Sequence, residues 1–118
     1  VNGSQQPQTD YDLIADLGAN ERRLREMVTA RKADGIKLAE ARESYTIAKA
    51  ECISRLRAAG NPVTLISDLV YGDKTVAALR RLRDIAEVVY DAGLEAINIT
   101  KREQDTIKLR IETGRRSR

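Results

Sequence analysis

The 118-residue chain has no histidine, tryptophan or phenylalanine, a single cysteine and two prolines. Without histidine there is no imidazole base, no Ser-His or Cys-His nucleophile pair and no ordinary zinc site. One cysteine, Cys52, excludes an internal disulfide framework and suits a reducing cytosol. It follows Glu51 inside a helical pattern whose seam it can join, and so reads as a buried structural thiol. Tyr11, Tyr45, Tyr71 and Tyr90 are the only aromatic residues. That scarcity argues against a wide globular core, where large rings usually supply much of the buried area. No apolar run approaches the roughly 20 residues that span a bilayer, and residues 1–10 lack the apolar core of a signal peptide. The expected location is the cytoplasm, with no membrane partner.

Charged residues, by contrast, make up 33% of the chain in mixed order, as expected for helices with extensively solvated faces. The net charge of +3 is unevenly placed. From Lys101 to Arg118 the basic Lys101, Arg102, Lys108, Arg110, Arg115, Arg116 and Arg118 outnumber Glu103, Asp105 and Glu112, which describes a basic end on a near-neutral body.

The strongest punctuation lies between Gly60 and Asp73. Gly60 stands where a left-handed helix C-terminal residue is wanted, and Pro62 prevents continuation. Thr64 is a candidate cap for a short helix from Leu65 to Tyr71, Gly72 ends it and Asp73 caps the next. Long helical patterns flank this connector. The first carries a seam at Leu13, Leu17, Asn20, Leu24, Met27, Arg31, Asp34, Leu38, Ala41, Tyr45, Ala48, Cys52 and Leu56, in steps of three and four that match a coiled coil. Thr9 or Asp10 is its candidate N-cap. Gly18 is a weak point that could delay the start to Asn20, and Arg31, Asp34 and Gly35 predict weakening or a bend. The last helix is expected from Lys74 to about Thr113, with Gly114 as terminator. Its predicted seam is Leu79, Leu82, Ala86, Val89, Gly93, Ala96, Thr100, Glu103 and Ile107.

The expectation is therefore an all-α fold, a long antiparallel, coiled-coil-like helical hairpin with a short connector helix. Residues 1–9 read as a disordered leader or expression remnant, 10–113 as a single domain and 114–118 as a basic disordered tail. Two such helices leave Ile36, Ile47, Ile53, Ile85, Val88, Leu94, Ile97, Ile99 and Ile111 off the seam. A second copy completing a four-helix bundle is the simplest cover, and a different partner protein the next.

Leu38-Ala39-Glu40-Ala41-Arg42, the connector from Leu56 to Ile66 with Asp68-Leu69 and Gly72-Asp73, and Ala86-Glu87-Val88-Val89-Tyr90 with Leu94-Glu95-Ala96-Ile97 carry a family likeness. Over Leu38 to about Glu112 the chain resembles small helical proteins of unknown function encoded by phages and prophages of Gram-positive bacteria. The resemblance implies an accessory role beside phage replication and recombination genes. It assigns no catalytic or binding residue.

Glu40 with Glu43, and Asp84 with Glu87, have helix-neighbour spacing, but with basic residues beside them they read as solvated ion-pair faces, so neither metal nor cofactor is expected. The glycines are too dispersed for a phosphate-binding loop. A non-enzymatic protein-interaction module is the leading expectation, with a host or phage protein as partner. Leu65, Leu69, Val70 and Tyr71 are its candidate contacts, and packing of the same residues onto the hairpin end is their competing fate. The alternative is weak, sequence-independent nucleic-acid binding through Arg22, Arg23, Arg25, Lys101, Arg102, Lys108, Arg110, Arg115 and Arg116, positions without interleaved aromatic rings to stack on bases.

Overall fold

The computed structural model describes residues 9–117, so the expected leader apart from Thr9, and the terminal Arg118, lie outside the described residues. Three helices follow in order: α1 (Asp10–Ala58), α2 (Val63–Tyr71) and α3 (Lys74–Arg116). Among the described residues there is no strand, and the all-α expectation holds.

Local chemistry sets each boundary. The Thr9 hydroxyl accepts the Asp12 N–H at 3.1 Å, while the Thr9 N–H donates to the Asp12 carboxylate at 3.2 Å. This reciprocal box has Asp12 in the place usually held by Glu, and with Asp10 it puts negative charge on the positive helix end. α1 therefore starts at Asp10, not at Asn20, and continues through Gly18 and Gly35 to Ala58. At its end Gly60 takes φ +82°. Its N–H donates to Arg57 O and that of Asn61 to Leu56 O, the paired bonds of a Schellman turn.

Pro62, extended at φ −61° and ψ 139°, begins α2, and its carbonyl accepts the Leu65 N–H at 2.9 Å. Thr64 lies inside the helix and is not its cap. Asp73 does cap α3, accepting the Val76 N–H at 3.1 Å. The far end differs from expectation, since α3 runs through Gly114 to Arg116 and residues 114–116 are helical. Arg115 and Arg116 complement the negative end of the helix, and Arg116 pairs with Glu112 one turn back.

The chain forms two compact units, to both of which α1 and α3 contribute. Unit 1 contains residues 9–30 and 93–117, and unit 2 is Arg31–Ala92. The division falls after Ala30, where charged Arg31 and Asp34 enter the α1 seam.

In unit 1, Leu13, Ile97 and Ile111 are buried together with the polar Asn20 and Thr100. Asn20 Nδ2 donates to Thr100 O at 3.3 Å, and the Thr100 hydroxyl donates back to Ala96 O at 3.0 Å. Asn20 Oδ1 is buried with no hydrogen-bond partner among the described residues.

Unit 2 is a helical hairpin closed by α2. Cys52, Ile66, Val70 and Val76 form its core, with Tyr45, Ala48, Ile53 and Leu56 packed around them. Cys52 is buried, as its seam position predicts.

Every predicted α1 seam residue from Leu13 to Leu56 is buried or half-buried. The α3 seam needs correction at alternate positions. Leu82, Val89 and Glu103 are exposed, and the inner positions belong to Arg83, Tyr90 and Gln104. Ile97 and Ile111, read as off-seam, are buried. Polar and aromatic contacts set this register in unit 2. The Arg83 guanidinium lies 4.4 Å from the Tyr45 ring centre, and that of Arg31 lies 4.0 Å from the centre of Tyr90. Arg31 Nε also donates to Tyr90 O at 3.3 Å. The Tyr90 ring fits because its neighbour is glycine, for a Cβ on Gly35 would sit 3.1 Å from Tyr90 Cε1.

Gly35→Val should destabilise the protein by about 1–3 kcal/mol through overpacking against a ring held by Arg31. Gly18→Ala, whose new methyl meets only the flexible Arg22 tip at 3.5 Å, should stabilise it by about 0.5–1 kcal/mol. Denaturant melts of both variants check the contrast, which reverses if Gly35 is merely a tolerated defect. Asn20→Leu should raise the melting midpoint by removing a half-satisfied buried amide, an effect of about 1–2 kcal/mol. An unchanged or lower midpoint would show that the Thr100 bond outweighs that cost.

Candidate interaction surface

Because α2 has only nine residues, each side chain is committed either to the core or to solvent. Ile66 and Val70, one turn apart, point inward and are 6% and 4% exposed. Leu65 and Leu69, also one turn apart, are 50% and 43% exposed. The structure divides the four between two sides of the helix. Val70 is therefore corrected from a candidate contact to a core residue, because the helix needs it beside Ile66 to bury anything at all.

Tyr71 is exposed but positioned. The Arg80 guanidinium lies 4.0 Å from its ring centre and Arg80 Nη2 donates to its carbonyl at 3.1 Å. Beside it, still within unit 2, a cleft of about 380 Å³ opens between α1, α2 and the start of α3. Ile53, Val63, Ile66, Val70 and Val76 supply its aliphatic lining, Tyr45 and Tyr71 its rings, and Lys49, Arg57 and Arg80 its positive charge. Composition alone does not reveal this cleft. Its lining comes from three separate stretches of chain, brought together only when α2 folds back.

α3 carries a second exposed apolar surface in unit 2. Leu82, Ile85 and Val89 line a groove of about 240 Å³ together with Asp34, Lys37 and Ala86. Val88 is more exposed still. Leu82 and Val89 reach this surface because Arg83 and Tyr90 hold the seam.

Unit 1 contains all nine candidate nucleic-acid residues and brings the α1 and α3 groups together, with Arg23 bonding Glu103 across the pair at 2.9 Å. The gathering is not one of positive charge alone. The same described segments carry as many carboxylates, namely Asp10, Asp12, Asp16, Glu21, Glu26, Glu95, Glu103, Asp105 and Glu112. Glu103 and Glu112 occupy two of the candidate cations, Arg23 and Arg116.

Of the paired carboxylates, Asp84 and Glu87 are likewise engaged. Glu87 faces Arg42 at 3.6 Å, and Asp84 accepts Arg83 at 2.9 Å. The hydrogen bond from Arg83 to Asp84 holds the guanidinium above its usual range, which leaves a permanent charge permanent. Among the described residues, no group of three or more metal-ligating side chains is placed to hold an ion, and no helix is long and apolar enough to cross a membrane. No family model, curated protein or solved structure matches the chain.

The division of α2 predicts opposite results at adjacent positions. Val70→Asp buries a carboxylate in the core and should cost roughly 3 kcal/mol or more. Leu69→Asp should cost less than about 1 kcal/mol and leave helicity nearly unchanged. Circular-dichroism melts of both variants read this directly, and equal destabilisation would place Leu69 in the core and remove it from the interaction surface.

Proposed function

We propose that the chain is a non-enzymatic protein-interaction module, working through the exposed apolar faces of unit 2. The carrying observation is that α2, fully able to bury one side, keeps Leu65 and Leu69 half-exposed while Ile66 and Val70 anchor it. Isolated exposed leucines are ordinary on protein surfaces. Here they stand on a helix that is itself positioned by a core, and α3 adds Leu82, Ile85, Val88 and Val89.

A second copy of the chain is the occupant proposed for the α3 groove. Asp34 and Lys37 line it, one charge of each sign, so a two-fold related copy can set each opposite its complement while the apolar residues meet between them. The leucines of α2 then remain for a different protein. In the accessory phage role that the resemblance implies, that protein is a host or phage component which this module recruits or inhibits.

Nucleic-acid binding is the second reading. In its favour, α1 and α3 place their basic residues in the same unit; against it, carboxylates in those segments match them in number. Any such binding would be weak and lost as salt rises.

Light scattering across a concentration series tests the assembly. The expected outcome is a dimer whose dissociation constant rises about a hundredfold in the double variant Leu82→Glu, Val89→Glu, since both carboxylates would enter an apolar interface. A monomer at all concentrations, or a dimer indifferent to that change, would overturn this occupant of the groove.

A further inference from the structure

The cleft beside α2 combines an apolar floor with a mostly positive rim. Its floor is aliphatic, with Ile66, Val70 and Val76 shared with the unit 2 core. Its charged lining is Lys49, Arg57 and Arg80 against a single carboxylate, Asp68. None of the three cations forms an ion pair among the described residues, although five other arginines do. Cations with aliphatic stems near an apolar floor keep their charged heads in water at the rim, and Lys49 and Arg57 are exposed there, so they attract an incoming anion most strongly at low salt. One is also tethered beside a ring. Arg80 lies 4.0 Å from the centre of Tyr71 and donates to its carbonyl, which limits the entropy lost when it engages a ligand, while Lys49 Nζ stands 5.9 Å from the centre of Tyr45.

From this arrangement we infer that the cleft binds an acidic peptide segment of a partner protein, seating an apolar side chain on the floor and carboxylates against Lys49, Arg57 and Arg80. The inference rests on the reading of unit 2 as an interaction module and names the chemistry of its partner. Charge complementarity selects this occupant. A basic segment would meet three like charges, and an apolar segment would leave all three without partners. At about 380 Å³ the cleft holds one large side chain and the backbone around it, not a folded domain.

The test uses the full chain and three fluorescein-labelled octapeptides. The first has four glutamates flanking a leucine-tryptophan pair, the second replaces the glutamates by lysines, and the third replaces the apolar pair by serines. Anisotropy at about 50 mM salt should show saturable binding of the first, with the other two weaker by on the order of tenfold or more. The double variant Lys49→Glu, Arg57→Glu should weaken the first peptide by a similar factor, while Arg25→Glu with Lys108→Glu in unit 1 changes it less than about twofold. Arg57→Ser, a milder change at an exposed position, should reproduce part of the loss if the double variant folds poorly.

Equal binding of the lysine peptide, no binding of the acidic one, or indifference to the Lys49 and Arg57 changes would overturn the inference. So would displacement of the peptide by equimolar single-stranded oligonucleotide, which would assign the cations to phosphate. Self-association measured on the same samples separates the two readings. Peptide binding by a protein that never dimerises defeats the dimer alone, and a dimer that ignores the peptide defeats the cleft alone.

Discussion

The seating of Ile66 and Val70 on Cys52 and Val76 is the interaction on which unit 2 depends. Two helices in contact bury one stripe each, and a stripe in which Arg31, Asp34, Ala41, Ala48, Arg83 and Ala86 alternate with larger residues gives limited apolar area. α2 changes that balance by covering the end of the pair from a third side, which leaves Val76 only 1% exposed. Its placement relies on two backbone devices. The Schellman turn at Gly60 reverses the chain, and Asp73 starts α3 while its other oxygen lies 3.3 Å from Arg55 on α1. Asp73 therefore ties the connector to both long helices, and the cleft beside Tyr71 exists because that closure is made.

Along the rest of unit 2, arginine over tyrosine supplies what the apolar seam lacks. A guanidinium at ring-stacking distance excludes water from the ring face while keeping its own polar edge available, so a partly buried arginine does not require a partly buried carboxylate. Arg31 illustrates this. As a charged residue on the seam it marks a defect in the sequence, and in the fold it covers Tyr90 and bonds to that residue's carbonyl. The glycine four residues on completes the arrangement by giving the ring room.

That pairing also marks where the sequence is legible and where it is not. The α1 seam is readable because its inward residues recur in steps of three and four from Leu13 to Leu56, and Gly60, Pro62 and Asp73 mark the connector by backbone requirements that composition cannot disguise. α3 offers two apolar stripes. Choosing the more aliphatic one puts Leu82 and Val89 inside, while the correct choice depends on Tyr90 meeting Gly35 and Arg83 meeting Tyr45, matches between residues more than thirty positions apart. Periodicity within one helix has no access to such partners. The same limit explains Val70, whose burial is set by which side of α2 faces Cys52, and the end of α3, where the 43-residue helix absorbs Gly114 without breaking.

The register of α3 decides what the helix leaves on its surface as well as what it buries in the seam. A helix with two apolar stripes buries one in the hairpin and carries the other on its surface, and the choice of Arg83 and Tyr90 for the inside is what places Leu82, Ile85 and Val89 outside. Had the more aliphatic stripe faced inward, the seam would be better packed and the exposed face polar, as suits a helix with no docking role. The arrangement found gives up some apolar burial in the seam and keeps a continuous apolar face available. On a chain with a third of its residues charged, that face is the surface which the proposed self-association would cover.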